Sequence, residues 1–210
     1  MSYAPFVSPT DLEALLGETL VNPTALIVAI SLDAACESVR GYIGQIINLV
    51  EDDVEIHSGT GRRVMRLRQR PVRSIEYVKV DGTTLETTEY TARDAILTKT
   101  DQTWWDFGND NIEVKYTHGW DVEEPTSFPV PADIRLVALI AARRVYQAVG
   151  FAESGSAGGL LIAETIGDYS YQLSDPGAAA TVATAAELGE GEQFALDRYR
   201  IALVGPSAIY

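Results

Sequence analysis

Apolar and polar positions change their period twice along the chain. Ser8-Pro9-Thr10-Asp11-Leu12-Glu13-Ala14-Leu15-Leu16-Gly17 carries the punctuation of a short helix. Ser8 caps it, Pro9 suits its first position, Asp11 complements its positive end and Gly17 stops it. Asn22-Pro23 repeats the start signal. Leu26, Ile27, Ile30, Ala34, Val39, Ile43 and Ile46 then recur at spacings of three, four and five on one broad face, so the pattern predicts helix to about residue 44. From residue 54 to 117 the period is that of strands. Val64–Arg68, Ile75–Val80, Ala95–Leu97 and Ile112–Tyr116 read as strands, and Asp81-Gly82 is a two-residue hairpin turn with its return strand starting at Thr83.

Residues 121 to 131 form a linker holding Pro125, Pro129 and Pro131. Helical spacing resumes after it, with Ile134, Val137, Ala138, Ala141, Val145 and Ala148 on one side and Gly150 at the end. Gly155 to Gly159 is a flexible joint, Glu164 to Ser174 is hairpin-like, and residues 176 to 191 read as loop or weak helix. Phe194, Leu196, Tyr199, Ile201 and Leu203 carry a last helix, which Gly205-Pro206 terminates. The expected class is α+β: a helical bundle core made by the N-terminal and C-terminal helices, with an inserted antiparallel β-sheet or partial barrel. Expected divisions are 1–50 (N-terminal helices), 51–120 (β-rich insert), 121–205 (C-terminal helices and hairpin) and 206–210 (apolar tail).

Composition narrows the function more than the fold. A chain of 210 residues with 46% apolar and 22% charged content is ordinary for a globular protein. Its net charge of −14 argues against a coat on DNA, which needs phosphates neutralised by Lys and Arg, and against anionic membranes. No stretch approaches the roughly 20 apolar residues of a membrane span, and the N-terminus lacks the basic and apolar regions of a signal peptide. The single cysteine, Cys36, excludes an internal disulfide and reads as a small buried hydrophobe.

Candidate chemistry is thin. His57 and His118 are the only histidines, and neither has a second His or a Cys at ligand spacing. Gly59-Thr60-Gly61-Arg62-Arg63 lacks the spacing of a phosphate cradle. Asp106 to Asn111 lacks the ligand alternation of a Ca²⁺ loop. There is no nucleophile elbow. The expectation is therefore no catalytic, cofactor-binding or metal-ligating residues, and no enzyme.

The distinctive cluster is basic: Arg62, Arg63, Arg66, Arg68, Arg70 and Arg73 hold six of the sixteen Lys and Arg residues within twelve positions. Strand alternation puts Arg66, Arg68 and Arg70 on one face and Met65 and Leu67 on the other. That face either pairs with the protein's own acids or meets an acidic neighbour, with DNA phosphate a third reading. Trp104-Trp105 are adjacent, so one belongs to a core and the other is a candidate partner anchor.

The order of these parts, and four pieces of wording, resemble the head-to-tail adaptor (head-completion connector) proteins of long-tailed bacteriophages. The pieces are Asp11-Leu12 with Leu15-Leu16-Gly17, Tyr116-Thr117-His118-Gly119-Trp120 ahead of Pro131-Ala132-Asp133-Ile134, Ile166-Gly167-Asp168-Tyr169-Ser170, and Leu196-Asp197-Arg198-Tyr199-Arg200. The resemblance implies a structural virion neck protein: a homo-oligomeric ring, dodecameric in the family, docked on the portal protein and contacting a stopper or other tail-completion protein. DNA would pass through its lumen without specific binding, and the protein would be made in the host cytoplasm. It also implies a portal interface near the C-terminus, assigned here to Tyr199, Arg200, Ile201, Leu203, Pro206, Ile209 and Tyr210. Arg66, Arg68, Arg70, Trp104 and Trp105 are the expected inter-subunit or next-ring contacts. Rival readings are a stopper or tail-completion protein, a nucleic-acid-binding module and a small soluble hydrolase.

Overall fold

The computed structural model describes residues 3–17, 19–20, 26–101, 103–122, 128–153, 164–166, 169–171 and 185–200. It is an α+β protein whose chain divides into two compact units, one spanning Met1–Gly44 with Pro131–Arg200 and the other containing Gln45–Val130.

The first unit is helical. Helix α1, Pro9–Leu16, opens with a reciprocal cap: the Asp11 N–H donates to Ser8 Oγ at 3.2 Å, and the Ser8 N–H donates to Asp11 Oδ2 at 3.0 Å. Gly17 closes it at φ 73°, its N–H donating to the Glu13 carbonyl. Helix α2, Leu26–Ile43, packs against α3, Ala132–Glu153, through Val28, Leu32, Ala35, Cys36, Val39 and Ile43 on one side and Ile134, Val137, Ala138, Ala141 and Val145 on the other. The small residues let the two helices approach closely. Leu26 and Ile30 do not belong to that buried face, contrary to the sequence pattern. They are 74% and 48% exposed, because the α3 contact selects the stripe through Val28, Leu32 and Ala35. Cys36 is fully buried, and burial pushes its thiol up to about 11, so it stays protonated.

Residues 164–166 and 169–171 pair antiparallel as the expected hairpin (β8 and β9 of the chain order). The last helix, α4, runs only from Glu190 to Leu196 and gives way to a 3₁₀ turn at Asp197–Tyr199. Leu196 is buried, but Phe194 is 81% exposed and does not serve the core as its spacing implied. The 155–159 joint, most of 176–191 and everything after Arg200 lie outside the described residues.

The second unit is two antiparallel sheets around one core. Strands β1 (Val50–Gly59), β7 (Gly108–His118), β3 (Val72–Val80) and β4 (Thr83–Thr84) lie side by side in that order. Strands β2 (Val64–Arg66), β6 (Ile96–Lys99) and β5 (Tyr90–Arg93) form the smaller sheet. Met65, Leu67, Val78, Val80, Tyr90, Ala95, Leu97, Trp105, Ile112, Val114 and Tyr116 fill the space they share. Both central residues of the Asp81-Gly82 turn have positive φ, 49° and 78°, which is the backbone twist that suits a two-residue hairpin.

Strand β7 ends at a close crossing. Gly119 sits at φ 93°, donates its N–H to the Pro71 carbonyl, and lies where a Cβ would stand 2.2 Å from the Asn48 carbonyl oxygen. Gly119→Ala is therefore expected to destabilise the β-rich unit by about 2–3 kcal/mol through overpacking and backbone strain. Gly17→Ala has positive φ but open space around it, and should cost only about 1 kcal/mol. Urea titration of the two variants checks the difference.

Candidate functional site

Strand β1 inverts the usual relation between a strand and its core. Its inward positions are Asp53, Glu55 and His57, and its outward positions are Val54 and Ile56, 47% and 48% exposed. A slip of one residue would bury the apolar pair. The polar partners hold the register instead. Glu55 Oε2 accepts the Tyr116 hydroxyl at 2.6 Å, and the Arg68 backbone N–H donates to both carboxylate oxygens at 3.1 Å. His57 Nε2 lies 2.9 Å from Glu55 Oε1 and Arg68 Nε lies 3.3 Å from it. Burial raises the pKa of Glu55, but the nearby His57 and the hydrogen bonds from Tyr116 and Arg68 outweigh it and leave the group below the ordinary carboxylate value. Burial and the neighbouring Glu55 carboxylate drive the Tyr116 hydroxyl well above its usual range.

His118, fully buried, faces Asp53 Oδ2 at 3.1 Å through Nε2, while its Nδ1 has no hydrogen-bond partner among the described residues. Burial lowers its pKa, against the opposing pull of Asp53. The chain's two histidines, 61 positions apart, thus stand beside the inward carboxylates of β1, the buried Glu55 and the half-buried Asp53. His118 Nε2 is within hydrogen-bonding distance of Asp53, whereas His57 Nε2 stands close to Glu55 without hydrogen-bond geometry. Among the described residues, no group of three or more His, Cys, Asp or Glu has the arrangement to hold a metal ion.

The residues singled out from sequence fall into separate places. Arg66 is exposed on the outer face of β2. Arg68 lies beyond the strand and turns back to Glu55 and to the Ile56 carbonyl. Arg70 is half-buried, and its N–H donates to Gln45 Oε1 at 2.9 Å. Trp105 is 1% exposed and belongs to the core, its N–H donating to the Arg62 carbonyl at 2.9 Å and its Nε1 to the Leu97 carbonyl at 3.4 Å. Trp104, beside it, is 60% exposed. Burial alternates as expected from Val64 to Arg68, with Met65 and Leu67 inside and Arg66 and Arg68 outside, but it ends before Arg70, and Trp105 is in the core, so the five residues do not share one exposed face.

Tyr199 and Arg200 sit in a polar network of the helical unit. The Tyr199 hydroxyl donates to Asp133 Oδ1 at 2.9 Å, and Arg198 pairs with the other Asp133 oxygen. The Tyr42 hydroxyl donates to Asp197 Oδ1 at 2.6 Å, and the Arg200 guanidinium stands 5.1 Å from the Tyr42 ring centroid. Ile201, Leu203, Pro206, Ile209 and Tyr210 lie outside the described residues.

Sequence reasoning missed Arg93. It lies on β5, directly opposite Ile96, which on its other side faces Arg66. Only the hairpin register reveals this row, and the Asp94-Ala95 turn that makes the hairpin carries no glycine to announce it.

No protein-family model matches the chain, and no curated protein matches it. Solved structures do. One is a chain from the neck of a native GTA particle computed with C12 symmetry, with a TM-score of 0.51 and 12% identity over 98% of this chain and 96% of that one. Another is from the neck of an empty GTA particle computed with C6 symmetry, with a TM-score of 0.54 and 12% identity over 98% of this chain and 95% of that one. At such identity the likeness is one of fold, and it extends over both units.

Proposed function

We propose that this chain is a structural ring subunit of a virion neck, of the head-to-tail adaptor type. The observation that carries the reading is the fold likeness, nearly end to end, to chains of a GTA (phage-like gene transfer agent) neck. That agrees with the adaptor resemblance in the order of sequence parts. The disposition of polar groups supports it as well: the buried titratable groups of the β-rich unit are turned toward one another as a framework.

In this reading the helices form the bundle core of each subunit and pack side by side with those of neighbouring copies into a closed, dodecameric ring. The ring docks on the portal, a stopper or tail-completion protein follows it, and DNA passes through the lumen without being bound. An acidic chain suits that passage, since like charge keeps the duplex from sticking to the wall. Tyr199 and Arg200, followed by Ile201, Leu203, Pro206, Ile209 and Tyr210, are the proposed portal contacts. Arg66 and Trp104 are proposed to touch the neighbouring subunit or next ring, and synthesis is in the host cytoplasm.

The test is to mix the protein with the cognate portal and image the product. A ring stacked on the tail-side end of the portal is the expected result. A chain that stays free counts against the reading, and one that binds only after another neck protein is in place points to a stopper.

A further inference from the structure

We propose that the outer face of the three-stranded sheet is the docking site for helix α2 of a neighbouring copy of this chain; the inference rests on the ring-subunit reading above. Cross-strand register sets two rows on that face, Val64–Thr98–Thr91 and Arg66–Ile96–Arg93. Directly opposed residues share a face, and the intervening residues Met65 and Leu97 point into the core. Two arginines therefore flank Ile96, their backbones about 10 Å apart across two strand spacings. Both are exposed, and neither has an ionic or hydrogen-bonding partner among the described residues.

The other sheet treats its cations differently. Its outward cations are all neutralised: Lys79 pairs with Glu113 at 2.8 Å, and Lys115 with Glu76 at 2.7 Å and Asp52 at 3.2 Å. The chain has 30 Asp and Glu against 16 Lys and Arg, so acids for Arg66 and Arg93 are not scarce. A sheet face that is part apolar and part cationic is the surface an amphipathic helix with acidic flanks would cover.

The same chain presents such a helix. Leu26, Ala29, Ile30, Asp33 and Glu37 are exposed along one side of α2. The stripe is about 16 Å long, apolar at its start and acidic beyond. Asp33 has no partner among the described residues, and Glu37 is paired only with Arg40 of its own helix. Seating Leu26 and Ile30 on Val64 and Ile96 brings Asp33 toward the arginines, so apolar meets apolar and anion meets cation. The two surfaces differ, so the contact is heterologous and can repeat around a ring, whereas a like-with-like contact stops at a dimer. Phosphate would also pair with the arginines, but the apolar half of the face and the net charge of −14 favour protein.

The experiment is a charge swap read by native mass spectrometry and sedimentation. Arg66→Glu with Arg93→Glu should weaken self-association about a hundredfold, the scale for breaking interfacial charge pairs, and Arg66→Gln with Arg93→Gln should weaken it less. Adding Asp33→Arg to the double Glu variant should restore assembly. Mixed chains carrying Thr98→Cys and Leu26→Cys should form an intermolecular disulfide, since Thr98 lies directly opposite Val64 and the native Cys36 is buried. A ring that forms unchanged in the charge variants and gives no such disulfide overturns the inference and leaves the ring reading standing. A wild-type chain that never self-associates overturns both. Loss of DNA retention, or a lowered melting temperature of the monomer, with assembly unaffected also overturns it: the face then serves nucleic acid or a segment of the same chain.

Discussion

Glu55→Ala is expected to lower the stability of the β-rich unit by about 4 kcal/mol, the range for removing one partner of a buried charged group. The side chain is 6% exposed and takes hydrogen bonds from the Tyr116 hydroxyl and the Arg68 backbone, with His57 within 2.9 Å. Alanine leaves the Tyr116 hydroxyl buried without an acceptor, and that unpaired group carries much of the cost. Glu55→Gln keeps one oxygen for Tyr116 and should lose about half as much. Urea titration followed by tryptophan fluorescence measures both. Equal loss in the two variants would mean that packing, not the carboxylate, holds β1 in register.

The same cluster sets a pH dependence whose sign is fixed. Burial holds the His118 pKa below its ordinary 6.5, so the unfolded chain takes up the proton first. Its contribution is full above about pH 6.5 and declines as pH falls toward the folded value. Glu55, held below its ordinary 4.5, contributes fully above about that pH and loses its contribution as pH falls through the folded value. The melting temperature should be level above pH 6.5, fall gently to 4.5 and fall faster below it. His118→Asn should remove the first decline and Glu55→Gln should reduce the second. A melting temperature indifferent to pH across this span would refute the assignment.

What the sequence disclosed follows the physics of each element. The α1 boundaries were legible because Ser8, Pro9, Asp11 and Gly17 act locally on backbone groups that have no other partner. The Asp81-Gly82 hairpin was legible for the same reason. Its counterpart at Asp94-Ala95 was not: both residues adopt positive φ, 48° and 64°, without a glycine, and Ala95 is held there by burial in the core. Missing that turn meant missing the row that sets Arg93 beside Ile96. Alternation marks Val54 to His57 as strand, but it cannot say which face goes inward. That choice is made by Tyr116 and His118 of β7 and by Arg68, which come from two other stretches of chain.

Side-chain spacing on helices misled in a related way. Leu26 and Ile30 lie on an apolar stripe that α3 does not use, and Phe194, two residues from the buried Leu196 and so on nearly the opposite side of the helix, is exposed. In each case an apolar residue at helical spacing stands in solvent, which is what a subunit with further surface to cover would show.

The adjacent tryptophans should separate folding from assembly. Trp105→Ala is expected to cost about 4 kcal/mol, in the range for emptying a buried aromatic site, because the ring lies among Met65, Leu97 and Val114 in the core of both sheets. Deleting it also frees the Leu97 carbonyl and removes the ring that Lys99 approaches at 5.7 Å. Trp104→Ala should change the same urea midpoint by less than about 0.5 kcal/mol, as for a surface substitution, yet reduce ring formation if its exposed ring anchors a neighbour. Far-UV circular dichroism with denaturant reads the first effect, and native mass spectrometry of the assembled protein reads the second. A Trp104 variant that melts like the wild type and assembles like it would leave that side chain without a role in assembly, whereas a Trp105 variant that stays folded would mean the two sheets hold together without their largest shared side chain.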